Sequence, residues 1–236
     1  MPDLLRNDSA YAATVEREFN SVTVEHHMKW LPLLQDKRGL CAYDFTEADF
    51  IVDWARARGL AVKGHTLVWH VTSPCDVLEP MSRAQVAEAI RRHVHTTAGH
   101  FYNRVASWDV VNEALAPDGT LAPSVFHAKL GPGVDWIHEA FRWARMADPA
   151  PLLLYNDNKV EGLDVKSDAM FDMLRALKRM GTPVDGVGLQ VGLRADLHGA
   201  LTRAHGGGFI RLISTPRAWA RDGPATPRRC RVILPG

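Results

Sequence analysis

Short apolar segments alternate along the chain with longer amphipathic ones. The apolar segments predict five β-strands, at 19–25, 61–70, 107–113, 151–157 and 184–190. The amphipathic segments between them predict four helices, at 46–59, 82–102, 133–148 and 166–181. Because the strands are apolar without clean alternation, we expect both of their faces to be buried. Such strands, separated by helices, are typical of a parallel sheet with crossover connections.

This order of elements predicts an α/β fold of the (β/α)8 TIM-barrel type. The sequence contains neither a GxGxxG nor a P-loop pattern, so a nucleotide-binding open sheet fits it less well. A length of 236 residues approaches the roughly 250 residues of one such barrel. Only five strands are recognisable, however, and the predicted barrel is therefore incomplete.

Each predicted strand ends in polar or ionisable residues, and barrel enzymes carry their chemistry at these carboxyl ends. The residues in question are Glu25-His26-His27, His65 with Trp69-His70, Asn112-Glu113, Asn156-Asp157, and Gln190. Taken alone, Glu113 could be the first solvated residue after a strand. Five successive polar strand ends favour a shared functional site instead.

The residue types at these strand ends suit a polyhydroxylated substrate. Amides and carboxylates bind sugar hydroxyls, and an indole offers a flat apolar face to a sugar ring. Glycoside hydrolysis needs two carboxyl groups beside the scissile bond, and Glu113 next to Asn112 is a candidate acid/base. The histidines could alternatively hold a metal ion. Because adjacent strand residues point to opposite faces, we do not expect His26 and His27 to share one. We expect neither a metal nor a cofactor.

The composition argues against some classes of binding partner but identifies none. The chain is 46% hydrophobic and 23% charged with a formal net charge of +1, which argues against nucleic acid or a membrane surface as the main partner. Three widely spaced cysteines form neither a disulfide framework nor a zinc motif. No signal-peptide pattern and no apolar run of about 18 residues is visible. The cellular location therefore stays open.

Several motifs resemble, in the same order, those of glycoside hydrolase family 10, the retaining endo-β-1,4-xylanases. They are "NSVTVEHHMKW" (20–30), "YDFTEAD" (43–49), "GHTLVWH" (64–70), "WDVVNEAL" (108–115), "YNDN" (155–158) and "DGVGLQ" (185–190). The resemblance implies that residues 1–193 form part of a catalytic barrel, with its strands 2–6. It also implies xylan or xylo-oligosaccharides as the substrate and no cofactor. Members of the family are usually secreted.

The resemblance also implies roles for residues at the reaction centre. Glu113 corresponds to the family's acid/base, and Asn112 would hydrogen-bond the sugar 2-hydroxyl beside the cleaved bond. His65 and Trp69 would shape the subsite at the reaction centre. Gln190 would lie near the nucleophile.

Three further residues are implied on the glycone side of the cleavage point. Glu25 and Lys29 would bind the neighbouring xylose unit. His26 stands where the family usually has an asparagine that binds xylose, so it is a candidate substrate-binding residue of different chemistry.

The carboxyl-terminal part departs from the family. The family's nucleophile is the glutamate of an I-T-E-L-D motif, but no glutamate follows Glu161 in this chain. Residues 194–236 contain eight Arg, two Asp and no Lys or Glu, and we predict no barrel strand there. Such an Arg-, Pro- and Gly-rich tail is what a GC-rich gene yields when it is read out of frame. Asp196 is the nearest carboxylate after the last predicted strand.

Two main hypotheses remain open at this point. The chain is a xylanase by family whose recognisable nucleophile is missing, or it is an inactive remnant that at most binds xylo-oligosaccharides. A barrel glycosidase with another specificity is a weaker third possibility.

Overall fold

A parallel β-sheet forms the centre of the computed structural model, which describes residues 2–36, 38–190, 211–215 and 230–233. Its strands are β1 (Phe19–Val24), β2 (Ala61–Val68), β3 (Ser107–Asn112), β4 (Leu152–Asn158), β5 (Gly186–Gln190), β6 (Arg211–Thr215) and β7 (Cys230–Ile233). They lie in the order β6-β5-β4-β3-β2-β1-β7, and every neighbouring pair is parallel. Consecutive strands from β1 to β5 are therefore neighbours, as in a barrel.

Helices connect the parallel strands. They are α1 (Pro2–Asn7), α2 (Ser9–Glu18), α3 (Trp30–Leu33), α4 (Thr46–Ala57), α5 (Cys75–Leu78), α6 (Arg83–His100), α7 (Val125–Leu130), α8 (Asp135–Ala147) and α9 (Val165–Arg179), with a 3-10 turn at His70–Thr72. The long crossover helices are α4, α6, α8 and α9. Within the described ranges, no helix combines the length and the apolar character that crossing a membrane would require.

The five predicted strands and four predicted helices are confirmed, and so is the incomplete barrel. The element ends shift by one or two residues, so that Glu25 and Glu113 lie just beyond β1 and β3 rather than inside them. The prediction of no strand in residues 194–236 is wrong, because β6 and β7 lie there and pair with β5 and β1. Each of these strands contains two adjacent apolar residues, Leu212-Ile213 in β6 and Val232-Ile233 in β7, but at five and four residues both are too short to stand out in an Arg-, Pro- and Gly-rich stretch.

Close packing inside the sheet depends on a glycine in β2. Gly64 pairs in register with Trp108 of β3, and the Trp108 side chain is fully buried. A Cβ atom added at Gly64 would lie 2.2 Å from the Trp108 ring, well inside van der Waals contact. The missing side chain therefore makes room for the indole in the core.

We expect Gly64→Ala to destabilise the chain by about 1–3 kcal/mol, because the added methyl overpacks the core against Trp108. Gly99→Ala is the matched control, since nothing lies within 4 Å of a Cβ at this exposed position near the end of α6. The control should be neutral or stabilise by up to about 1 kcal/mol, because alanine is the better helix former. Urea unfolding of the two variants measures both effects. Equal midpoints would contradict the packing argument.

Candidate active site

The carboxyl ends of β2, β3 and β5 meet at the side chain of Glu113. Trp69, just after β2, donates from Nε1 to Glu113 Oε2 at 3.0 Å. Gln190, at the end of β5, donates from Nε2 to Glu113 Oε1 at 2.9 Å. Both carboxylate oxygens are therefore held by neutral donors, one from the end of β2 and one from the end of β5, and the carboxyl group has a fixed orientation in a partly buried position.

The backbone at Glu113 is left-handed, with φ of 53°. A non-glycine residue in this conformation carries a strain of about 1 kcal/mol or more. Two hydrogen bonds from β4 hold it there: the Glu113 N–H donates to the Asn156 carbonyl at 2.9 Å, and the Ala114 N–H donates to the Tyr155 hydroxyl at 3.2 Å. The strand thus ends in a turn that β4 stabilises.

A buried polar chain stands behind this turn. The Tyr155 hydroxyl, fully buried, donates to Asp157, whose other oxygen pairs with the Lys166 ammonium at 2.8 Å. Burial raises the pKa of the Asp157 carboxyl even though Lys166 and Tyr155 act in the opposite direction. Burial, together with the adjacent Asp157, also raises the pKa of Tyr155 well above its usual value. Tyr155 therefore stays a neutral hydroxyl that can both donate and accept.

The Asn112 amide lies beside Glu113 and is oriented by two neighbours. Its Oδ1 accepts from Asn156 Nδ2 at 2.6 Å and from Gln190 Nε2 at 3.1 Å. Its Nδ2 is buried and has no hydrogen-bond partner among the described residues. An unpaired buried donor is costly, so this N–H is available to donate a hydrogen bond. Gly188 permits the arrangement, because a Cβ there would lie 2.2 Å from Asn156 Oδ1.

Glu25 and Lys29 follow β1 and extend the site toward Trp69. Lys29 Nζ lies 4.9 Å from the centre of the Trp69 ring, within the range of a cation–π contact. Burial lowers the pKa of Lys29, while the charges of Glu25 and Glu113 act in the opposite direction. Glu25 Oε2 is buried without a hydrogen-bond partner in the described part of the chain. This side of the site therefore offers an acceptor and a cation.

His65 is held by Asp109 rather than by Glu113. Its Nδ1 lies 2.8 Å from Asp109 Oδ2, and Lys63 Nζ lies 2.9 Å from Asp109 Oδ1. Burial works to raise the pKa of Asp109, but Lys63 and His65 outweigh it and the pKa is lowered. The His65 ring centre is 6.3 Å from that of Trp69, so both rings border the same region.

The prediction that His26 and His27 point to opposite faces of a strand is wrong, because both residues lie in a turn after β1. Their rings meet edge to face with centres 5.1 Å apart. Partial removal from water lowers the pKa of each. His26 is exposed, and the charges of Glu25 and Lys29 act on it. In the described residues, no three His, Cys, Asp or Glu side chains are grouped as a metal site would need.

Four residues of the site were not predicted from the sequence as catalytic or substrate-binding residues: Lys63, Asp109, Tyr155 and Asn156. Asp109 could have been found, because a charged residue inside the apolar run "SWDVVN" (107–112) indicates a buried carboxylate that needs a partner. Asn156 was noted as a polar strand end only. Asp196 lies outside the described residues.

The parallel strand order and the polar cluster at the strand ends place the chain in the class of (β/α)-barrel proteins whose site lies at the carboxyl ends of the strands. The sequence model of the family described as glycosyl hydrolase family 10 matches residues 2–204 of this chain. The chain belongs to this family.

Relatives of this chain carry xylanase names. It is 36% identical over 182 residues to endo-1,4-beta-xylanase B of Thermotoga neapolitana, covering 77% of this chain and 51% of that protein. It is 38% identical over 198 residues to endo-1,4-beta-xylanase A of Cellvibrio japonicus, covering 80% of this chain and 32% of that protein.

Solved structures agree with the family assignment. The xylanase 10B structure from Thermotoga petrophila, in complex with xylobiose, matches with a TM-score of 0.75 and 37% identity, covering 80% of this chain and 57% of that one. The intracellular xylanase TsXylA of Thermoanaerobacterium saccharolyticum matches with a TM-score of 0.75 and 35% identity, covering 81% and 61%. The chain spans about half the length of endo-1,4-beta-xylanase B of Thermotoga neapolitana, the first relative named above.

We expect Tyr155→Phe to destabilise the chain by about 1–3 kcal/mol, because it removes the buried partner of both the Ala114 N–H and Asp157. Tyr102→Phe is the control, since Tyr102 is 56% exposed. That change should alter the free energy of unfolding by no more than about 0.5 kcal/mol. Thermal and urea unfolding report both values, and an unaffected Tyr155→Phe protein would show that the hydroxyl does not hold the turn.

Proposed function

We propose that this chain carries the acid/base half of a retaining endo-β-1,4-xylanase site, directed at internal bonds of xylan. The observation that carries the proposal is the arrangement at the end of β3. Glu113 is fixed at both oxygens by Trp69 and Gln190, and the adjacent Asn112 has a buried donor that no described residue pairs with. A carboxyl group held in this way, with a sugar-binding donor beside it, supports a role in proton transfer to a bound glycosidic oxygen.

In the proposed reaction Glu113 acts twice. First it donates its proton to the glycosidic oxygen while the bond from that oxygen to the anomeric carbon breaks and a carboxylate forms a new bond to the same carbon. Then it accepts a proton from a water molecule whose oxygen attacks the anomeric carbon and displaces the carboxylate. Trp69 and Gln190 keep the carboxyl group in place through both steps.

The groups around Glu113 support a neutral, hydroxyl-rich substrate. Within the part of the chain that the structure describes, Asn112 Nδ2 is a donor and Glu25 Oε2 an acceptor without a hydrogen-bond partner, and Lys29 adds a cation. The Trp69 indole provides an apolar surface of the kind on which sugar rings pack. Xylobiose and xylotriose are bound in structures of similar proteins, and we extend that substrate class to this chain.

The missing glutamate favours a second candidate function. A retaining site needs its second carboxyl group about 5 Å from the acid/base, and the sequence has no glutamate after Glu161. We therefore propose that residues 1–193 are the family's barrel portion, and that residues 194–236 are read in a shifted frame. In that case the chain as given binds xylo-oligosaccharides and turns them over slowly or not at all. Sequencing the gene across codons 190–236 tests the shifted frame directly.

We expect the chain to bind xylotriose, and Asn112→Ala to weaken binding by about tenfold or more, because a well-placed hydrogen bond from the buried amide is lost. Asn20→Ala is the matched control, since Asn20 lies exposed on β1, and it should leave affinity unchanged. Isothermal titration calorimetry measures both. Equal affinities in the two variants, or no binding by the native chain, would contradict the proposed substrate site.

We expect negligible hydrolysis of xylan by the native chain and rescue by sodium azide on aryl xylobiosides. Azide nitrogen would bond to the anomeric carbon in place of the missing carboxylate, the glycosidic bond would break, and the product would be an α-xylobiosyl azide. Phenolate is a poor leaving group and must take the Glu113 proton to depart as phenol, whereas dinitrophenolate departs without a proton. Glu113→Gln should therefore lower the rescued rate by about 10²–10⁴-fold on the phenyl substrate only.

Asp196→Ala is the control for a relocated nucleophile, and it should not change the rates. Xylan turnover by the native chain comparable to that of a frame-corrected protein would refute the missing-nucleophile proposal. If Asp196→Ala abolished that turnover, Asp196 would be the nucleophile.

A further inference from the structure

The loop between β1 and α4, residues 25–45, carries one side of the candidate site. Glu25 and Lys29 lie at its start, and Lys29 Nζ is 4.9 Å from the centre of the Trp69 ring. Whatever holds this loop against the rest of the chain therefore also places these two side chains beside Trp69.

The loop has two limbs that backbone hydrogen bonds join to each other. The first limb contains α3, and the second limb runs back toward α4. The Gln35 N–H donates to the Ala42 carbonyl at 3.0 Å, and the Asp44 N–H donates to the Leu33 carbonyl at 2.8 Å. The two limbs therefore form one unit.

A single imidazole on α6 contacts both limbs of this loop. His93 is fully buried, and its ring stacks on the Trp30 ring of the first limb with centres 4.3 Å apart. Its Nδ1 lies 3.2 Å from the Tyr43 hydroxyl of the second limb and 3.3 Å from Thr97 Oγ1 of α6 itself. We call the loop docked when both limbs contact His93 in this way.

In the described part of the chain, no carboxylate lies near enough to His93 to balance an imidazolium. The elements packed around its ring present the Trp30 indole from α3, the Tyr43 hydroxyl from the loop and the Leu67 carbonyl from β2. Burial raises the pKa of Tyr43 to about 12, so its hydroxyl stays neutral. The charge of Arg92 on α6 acts on Tyr43 in the opposite direction, but Arg92 itself is exposed.

Burial lowers the pKa of His93 from its ordinary value of 6.5 to about 3, although the Leu67 carbonyl acts in the opposite direction. That carbonyl makes no hydrogen bond of ordinary geometry with the buried Nε2. The docked loop therefore binds fewer protons than a released loop whose histidine is in water. Docking is undisturbed above pH 6.5, and each pH unit between 6.5 and about 3 favours release by about tenfold more.

We propose that His93 docks the loop at 25–45 only as a neutral imidazole, and that its protonation releases the loop while the inner strands stay paired. Strands β2 to β5 pair with one another through their own backbones, without the loop. The released form lacks Glu25 and Lys29 beside Trp69, and mild acid raises its share. The consequence for sugar binding rests on the proposed function, whereas the release itself does not.

Hydrogen exchange of the 236-residue chain, followed amide by amide with NMR from about pH 7 to about pH 4.5, tests the proposal. The protection factors of the Gln35 and Asp44 amides, corrected for the intrinsic effect of pH on exchange, should fall by about tenfold per pH unit below 6.5. Amides in the ladder between β3 and β4 should keep their protection.

Two variants on α6 separate His93 from the other groups that titrate in this range. His93→Phe keeps a flat ring against Trp30 but cannot take up a proton, so its loop protection should not depend on pH. His95→Gln is the matched control on the same helix, and it should keep the pH dependence of the native chain. Should His93→Phe not fold, His93→Gln takes its place, because its amide accepts from Tyr43 and does not titrate.

Three results would overturn the proposal. The first is loop protection that does not change with pH in the native chain, and the second is an equal fall in the native chain and in the His93 variant. The third is an equal loss of protection in the loop and between β3 and β4, because acid would then act on the whole fold. A chain that shows the release but binds no xylotriose at pH 7 would refute the proposed function alone.

Discussion

The left-handed turn at Glu113 is the constraint on which the site depends. A strained backbone persists only where its surroundings hold it, and here β4 supplies both hydrogen bonds, through the Asn156 carbonyl and the Tyr155 hydroxyl. The turn places the carboxyl group where Trp69 and Gln190 reach one oxygen each. Contacts from β2, β4 and β5, held in one parallel register, are therefore needed to orient this one glutamate.

Two buried ion pairs support this arrangement. Lys63 pairs with Asp109 beneath the β2 and β3 ends, and Lys166 pairs with Asp157 behind the β4 end. Buried pairs are poor sources of net stability, and loss of one partner costs about 3–5 kcal/mol because an uncompensated charge remains. Their use here is positional: one fixes the imidazole of His65, and the other fixes the hydroxyl that holds the Glu113 turn.

Hydrophobic pattern alone predicted the inner strands and long helices, because burial on both faces produces apolar runs. The rule that barrel chemistry lies at strand ends also led to Asn112, Glu113 and Gln190. Contacts across strands were not predictable, since register decides that Asp109 meets Lys63 and that Asn156 meets Asn112. The edge strands β6 and β7 were missed because they have only five and four residues and lie in an Arg-, Pro- and Gly-rich stretch, although each contains two adjacent apolar residues.

The central claim is that the end of β3 binds a β-1,4-linked xylose chain with its scissile bond at Glu113. A crystal structure of the 236-residue chain with xylotriose tests this most directly. The account predicts a glycosidic oxygen within hydrogen-bond distance, about 2.6–3.2 Å, of a Glu113 carboxyl oxygen, with Asn112 Nδ2 donating to a hydroxyl of the adjoining sugar. Xylotriose bound away from Glu113, or bound there with no glycosidic oxygen in reach of its carboxyl group, would contradict the account.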